Sequence, residues 1–340
     1  MRAPHAGFRS SKHLQSMMDT AAVRPFLPRS RGGVAARILL VLLALLAPRV
    51  ARPAAAQAPS PLDRIAALDV KRLRIGRMTV LYSGSDTDPD ADLESAARRT
   101  TRLFADAGDF FAGALDGEFT FGVALLSPRD WARASAGAHA IPWSSRRDRL
   151  VVVPVRADMG LLTQGGQDTT RARQVLEIIE LHQLGHVLAG EYLYPAGFDA
   201  ERPPVLWFEE LLASYFGEMY MRARKPELAN FAKDLAEDVV AVGKPRFTSL
   251  QQLDAYYDGY LTSPQGANTL GWYQNAFNLR AAELYEEMGP DFIRRVRSAL
   301  PWARFENWTT DELLEELEEI SPGFIAWADE MAERTRRVHR

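Results

Sequence analysis

Glu180-Leu181-His182-Gln183-Leu184-Gly185-His186-Val187-Leu188 places two histidines four residues apart inside an apolar, helix-like run. On an α-helix, positions four apart differ by about 40° in azimuth and share one face, so both imidazoles can reach a single ion. Neutral imidazole is a good zinc ligand, but a catalytic zinc takes three protein ligands and keeps a fourth position open. A further His, Asp or Glu should therefore stand on a neighbouring element. Between the histidines, Gln183 offers a carboxamide, which forms hydrogen bonds but takes up no proton.

A suitable element follows at once. After the turn-like Tyr194-Pro195-Ala196-Gly197 and Pro203-Pro204 comes Val205-Leu206-Trp207-Phe208-Glu209-Glu210-Leu211-Leu212-Ala213-Ser214-Tyr215-Phe216. With proline just before or inside its first turn, this is a strong helix start.

Together the two stretches resemble the gluzincins, the thermolysin- and aminopeptidase-like zinc metallopeptidases of the peptidase MA-like superfamily. Those proteins pair H-E-x-x-H with a second helix that often reads W-[LF]-x-E-G-x-A-x-Y-F. Trp207, Phe208, Glu210, Ala213, Tyr215 and Phe216 match that pattern; Leu211 departs from its glycine, and Gln183 turns the first motif into H-Q-x-x-H. The resemblance implies His182, His186 and Glu210 as ligands of a Zn2+ ion, with Glu209 as the alternative third ligand. It also implies a cleft for a peptide or protein substrate or ligand. Farther on, Tyr273-Gln274-Asn275-Ala276-Phe277 leads into Leu284-Tyr285-Glu286-Glu287-Met288-Gly289-Pro290. This is similar to the peptidase MA-like segment ending in Y-x-x-x-G-x-x-x-L, with Ile293 in place of the leucine. A tyrosine or histidine of the C-terminal lobe helps to hold the oxyanion in gluzincins, which implies Tyr273, with Tyr256, Tyr257 and Tyr260 as competitors. The resemblance spans residues 75–300 in outline and is specific at 180–216.

The glutamine is the departure that matters for function. In the family, the glutamate after the first histidine takes a proton from the attacking water and later gives it to the leaving amine. General acid–base work of this kind contributes roughly 10²–10⁴-fold. Glu177 and Glu180 lie well over 100° around the helix from the histidine face, so neither replaces it. The expected product is a metal-binding, peptidase-like protein that is inactive or weakly active. An active zinc peptidase with an unconventional base and a metal-free peptide- or protein-binding module on the same fold are the alternatives.

The rest of the chain sets the context. Ile-Leu-Leu-Val-Leu-Leu-Ala-Leu-Leu-Ala at 38–47 follows Arg24, Arg29, Arg31 and Arg37 and precedes Ala54-Ala55-Ala56-Gln57-Ala58. Residues 1–58 thus read as a signal peptide and leader, with Met17 or Met18 an alternative start, and the apolar run is short of the roughly 20 residues a membrane span needs. The expectation is export to a periplasm or the exterior, with no stable membrane span once the signal is removed; a membrane-anchored form is the alternative. Beyond residue 58 the chain retains 32 of its 41 basic and 43 of its 44 acidic groups, a net charge of −11 that repels nucleic acid. It has no cysteine, so its core alone must hold it.

Residues 59–75 suggest a lead-in helix or linker. Strands are expected at Arg77–Tyr82, Glu118–Leu126 and Arg149–Val155, the last with Pro154 marking an edge or a strand end. Helices are expected from about Leu93 to Leu115 and at Pro128-Arg129-Asp130, and almost everything after residue 170 has helical periodicity. Asp86, Asp88, Asp90 and Asp92 resemble a calcium loop but lack its glycine and glutamate, with Ala91 and Ala97 at those positions, and read better as a helix cap. The fold expected is α+β and zincin-like, over residues 59–340: a sheet-containing N-terminal lobe with the histidine helix (59–191), then a helical C-terminal lobe (192–340).

Overall fold

Val123-Ala124-Leu125-Leu126 shows how the sheet is buried on both faces. In the computed structural model the described residues are 61–83, 91–134, 141–156, 168–193, 205–245, 247–260, 264–300 and 308–338. Strand β3 (Gly122–Leu126) points Val123 and Leu125 into the main core and Ala124 and Leu126 into a smaller one on the opposite face. Strand β5 (Leu150–Pro154) alternates in the same way, with Val151 and Val153 on the main side and Leu150 and Val152 on the other. A continuous apolar run is the signature of a strand covered on two sides.

Around these two lie β1 (Val70–Ile75), β2 (Met78–Ser83) and β4 (Trp143–Ser145), in the order β1-β2-β3-β5-β4. The inner pairs β2–β3 and β3–β5 are parallel, and both outer pairs are antiparallel. Gly76 turns the β1–β2 hairpin with φ +57°, a backbone region that disfavours a side chain. Helix α1 (Pro61–Ala66) and helix α3 (Pro128–Ala134) cover the small core through Ile65, Trp131 and Ala134. Helix α2 (Ala91–Ala114) covers the main side with Leu103, Phe104, Ala107 and Phe111.

Among the described residues every element after β5 is a helix: α4 (Thr169–Leu193), α5 (Leu206–Arg224), α6 (Pro226–Val242), α7 (Leu250–Tyr260), α8 (Pro264–Met288), α9 (Asp291–Ala299), α10 (Thr310–Ile320) and α11 (Phe324–Val338). Asp168 caps α4, its Oδ1 accepting from the Arg171 N–H at 2.9 Å. Helix α4 packs on α5, and α5 on α8, as the dominant helix pairs. Both α4 and α5 are buried almost all round, as interior helices apolar on every side should be. The chain is thus α+β, a small mixed sheet followed by a mostly helical C-terminal region. No helix among the described residues is long and apolar enough to cross a membrane.

Several local expectations differ from what is found. The 59–75 segment supplies a strand, β1, in addition to a short helix; its exposed Lys71, Arg72 and Arg74 obscure the alternation at this sheet edge. The strand at 118–126 begins only at Gly122, because Phe119 and Phe121 turn into the core ahead of it. Pro154 ends β5 and does not mark a sheet edge, since β4 pairs beyond it. Helix α2 begins at Ala91, taking in Asp92, whereas Asp86, Asp88 and Asp90 lie outside the described residues, as do the leader and signal segment.

Candidate metal centre

Gly185 decides how closely the two site helices meet. A Cβ there would stand 2.9 Å from both the carbonyl carbon and Cα of Ala213 and closer still to its oxygen. Only glycine lets the α4 backbone rest directly on α5, and that contact lies one residue from His186 and three from Glu210. The small pair brings the histidines of one helix against the carboxylate of the other.

His182, His186 and Glu210 converge there, their ligand atoms all within 4.8 Å of one another. His182 Nε2 lies 3.1 Å from His186 Nε2 and 3.2 Å from Glu210 Oε2, and His186 Nε2 lies 3.5 Å from the same oxygen. Donors about 2.0–2.1 Å from a tetrahedral zinc sit about 3.3 Å apart, so the triangle has the size that a zinc ion requires. Two nitrogens and one oxygen form a donor set that accommodates zinc with its fourth position left over.

Charge in the site favours the ligating forms. Burial pushes Glu210 up, but the adjacent imidazoles of His186 and His182 outweigh it and hold the carboxyl well below the usual carboxylate range. Burial lowers His182 against the opposing pull of Glu210 and keeps its imidazole neutral. Glu210 is thus held as an ionised carboxylate, the form in which it binds metal.

A second ring of contacts orients these ligands. Tyr257 Oη, on α7, donates to Glu210 Oε1 at 3.0 Å and leaves Oε2 facing the histidines. Helix α7 is fixed in turn by Asp254, whose carboxylate accepts from the Trp207 N–H at 3.1 Å and from Thr310 Oγ1 at 2.8 Å. Asp254 thereby caps α5 from outside the helix, where Val205 supplies no capping side chain. Behind His182, Nδ1 lies 3.4 Å from Ser214 Oγ and 3.2 Å from the Gln274 carboxamide. The Gln274 atom facing the ring is Nε2, which also donates to Ser214 Oγ at 3.0 Å. With His182 Nε2 on a metal, Nδ1 would carry the proton and Ser214 Oγ would accept it, and the Gln274 carboxamide would do so only when turned over.

The other expected residues have different surroundings. Glu209 is not among the converging groups and forms an ion pair with Arg146. Tyr273 is fully buried and its hydroxyl donates to the Ser249 carbonyl at 2.6 Å, at the start of α7, so the tyrosine placed on the ligand set is Tyr257. Gln183 accepts at Oε1 from Ser144 Oγ on β4 at 2.8 Å. Its Nε2 is buried and has no partner among the described residues. Glu180 faces the other way, accepting from Thr100 Oγ1 at 3.2 Å, and Glu177 pairs with Lys225.

Ser214 and Gln274 could have been picked out, Ser214 because it stands four residues after Glu210 on the same helix face. Ser144 gives no such signal, being one polar residue in a three-residue strand.

Searches of protein-family models and of curated proteins return no match to this chain. Among solved structures, it is similar to an aminopeptidase N family protein from Idiomarina loihiensis, with a TM-score of 0.41 and 14% identity, over 79% of this chain and 42% of that one. The chain therefore spans less than half the length of that protein, and the reading of the site rests on its own geometry.

Proposed function

We propose that this chain is an exported, zinc-binding protein of gluzincin-like descent that holds peptide or protein ligands and hydrolyses them weakly or not at all. The observation that carries the reading is the His182–His186–Glu210 triangle, whose 3.1, 3.2 and 3.5 Å edges match three corners of a zinc tetrahedron. His182, His186 and Glu210 would hold the ion, Tyr257 would orient the carboxylate, and Ser214 with Gln274 would fix the His182 tautomer. Zinc in such a site supplies Lewis-acid polarisation of a carbonyl and a more acidic water.

What the chain's own residues can add is limited by Gln183. Its carboxamide can donate to or accept from a ligand, but it cannot carry a proton between water and a leaving amine. The nearby carboxylates among the described residues support the same reading, because each has another occupation. Glu209 is held by Arg146, Glu177 by Lys225, and Glu180 lies buried against Thr100 on the far side of α4. Strand β4 favours a ligand of extended backbone: among the described residues it ends the sheet, paired with β5, and Ser144 ties it to Gln183. A free sheet edge offers main-chain hydrogen bonds to a peptide strand. The acidic balance beyond residue 58 disfavours nucleic acid, and the N-terminal leader supports export.

Zinc-loaded wild type and Gln183→Glu, incubated with a mixed peptide library and read by mass spectrometry, test this. Turnover should be confined to the variant or exceed that of wild type by about 10²-fold or more. Equal turnover by both proteins would contradict the reading.

A further inference from the structure

Helix α2 presents a second, unrelated site on the opposite side of α4. Ser95, Arg98, Arg99, Arg102, Leu103 and Asp106 recur at helical spacing along one of its faces and line an open-sided cleft of about 720 Å³. Glu177 of α4, Tyr220 of α5 and Lys225 at the end of α5 close it from the other side. Four cations meet two anions there, within a chain whose overall balance is acidic.

Both anions are already engaged. Glu177 pairs with Lys225, and Asp106 accepts from the Tyr220 hydroxyl at 2.7 Å. Arg99 and Arg102, both exposed, make no ion pair or hydrogen bond among the described residues. Buried Leu103 and Tyr220 line the same cleft. Arg99 and Arg102 thus leave an excess of positive charge, offset in part by the buried Glu180 that Arg99 acts on, and the cleft volume is in the range of small-molecule sites, about 300–1,000 Å³.

We propose that this cleft binds a small dianionic organic molecule. Arg99 and Arg102 grip the charged end by paired N–H donors, and Leu103 and Tyr220 carry the organic body. Two guanidinium forks suit a doubly charged group, whether the planar oxygens of carboxylates or the tetrahedral oxygens of a phosphate.

Phenyl phosphate is the probe, titrated calorimetrically at pH 8 into the full chain with benzyl alcohol as the neutral control. Saturable 1:1 binding with a Kd of about 1 mM or tighter is expected. It should weaken at least tenfold between about 0.1 and 1 M salt, where the screening length falls from about 10 to 3 Å. It should weaken at least tenfold in Arg99→Gln/Arg102→Gln, and again in Ser95→Glu, which adds an anion at the rim. It should persist in His186→Ala and with chelator present. The proposal is overturned if wild type shows no saturation, if either cleft variant binds as wild type does, or if benzyl alcohol binds as tightly. Loss of binding in His186→Ala or with chelator also overturns it, by assigning the probe to the metal centre.

Discussion

Replacing Gly185 by alanine should weaken the fold and the metal centre together, against the usual effect of alanine in a helix. In an unobstructed helix the change gains about 1 kcal/mol of helix propensity. Here the new Cβ would stand 2.9 Å from Ala213 Cα and from its carbonyl carbon. Carbon pairs rest at about 3.5–4.0 Å, so α4 and α5 must part by roughly 0.6 Å or more. The obstructing atoms belong to a helix backbone, and no side chain can swing aside. Overpacking of this kind costs about 1–3 kcal/mol, and a rigid obstacle argues for the upper end. The net loss is about 2 kcal/mol, or a fall in Tm of roughly 3 °C at this chain size. The same displacement separates His182 and His186 from Glu210 by more than the ~0.2 Å that a metal site tolerates. Gly217→Ala is the matched control: its Cβ would meet its nearest neighbours at 3.8–3.9 Å, ordinary contact distances, and the variant should be unchanged or up to about 1 kcal/mol more stable. Thermal unfolding with chelator present gives the stability, and competitive zinc titration gives the affinity. A Gly185→Ala protein with wild-type Tm and wild-type zinc affinity would refute the close-approach argument.

Burial raises Glu180 from 4.5 to about 7, so its ionisation opposes folding. Its contribution is fully present below about pH 4.5 and is lost as pH rises through about 7. Glu180→Gln, which keeps an acceptor for Thr100, should therefore match wild type near pH 4 and exceed it by up to about 3 kcal/mol above pH 8. Denaturant unfolding across that range checks this; a stability difference that does not change with pH would contradict it. Tyr257→Phe removes the hydrogen bond to Glu210 and should lower zinc affinity about 10–100-fold with little change in Tm. Tyr273→Phe, which loses the bond to Ser249, should show the converse, a stability loss of about 1 kcal/mol with zinc affinity kept. An exchange of the two outcomes would return Tyr273 to the site.

The two site helices were legible from their start signals, Asp168 before α4 and proline ahead of Trp207 in α5, and from their length of unbroken helix-forming sequence rather than from an apolar stripe. The grouping of His182, His186 and Glu210 was legible for a related reason. Four-residue spacing on one helix and a patterned second helix constrain geometry without knowledge of the fold. What was not legible depends on tertiary contacts. Tyr256, Tyr257, Tyr260 and Tyr273 cannot be ranked until α7 is docked, and the residue that docks it, Asp254, acts across 47 positions on the Trp207 amide. The two outer strands were hidden for opposite reasons: β1 is too polar to alternate visibly, and β4 is only three residues long. Ser144, which holds Gln183, stands on the second of these.

The account turns on whether a metal is bound. The most direct measurement is the zinc content of purified wild type and His186→Ala by inductively coupled plasma mass spectrometry, with thermal unfolding before and after chelation. The expected result is one zinc per chain in wild type, a lower Tm after its removal, and neither zinc nor a chelator response in His186→Ala. Wild type that carries no zinc, takes none up on dialysis and shows the same Tm with and without chelator would contradict the metal centre.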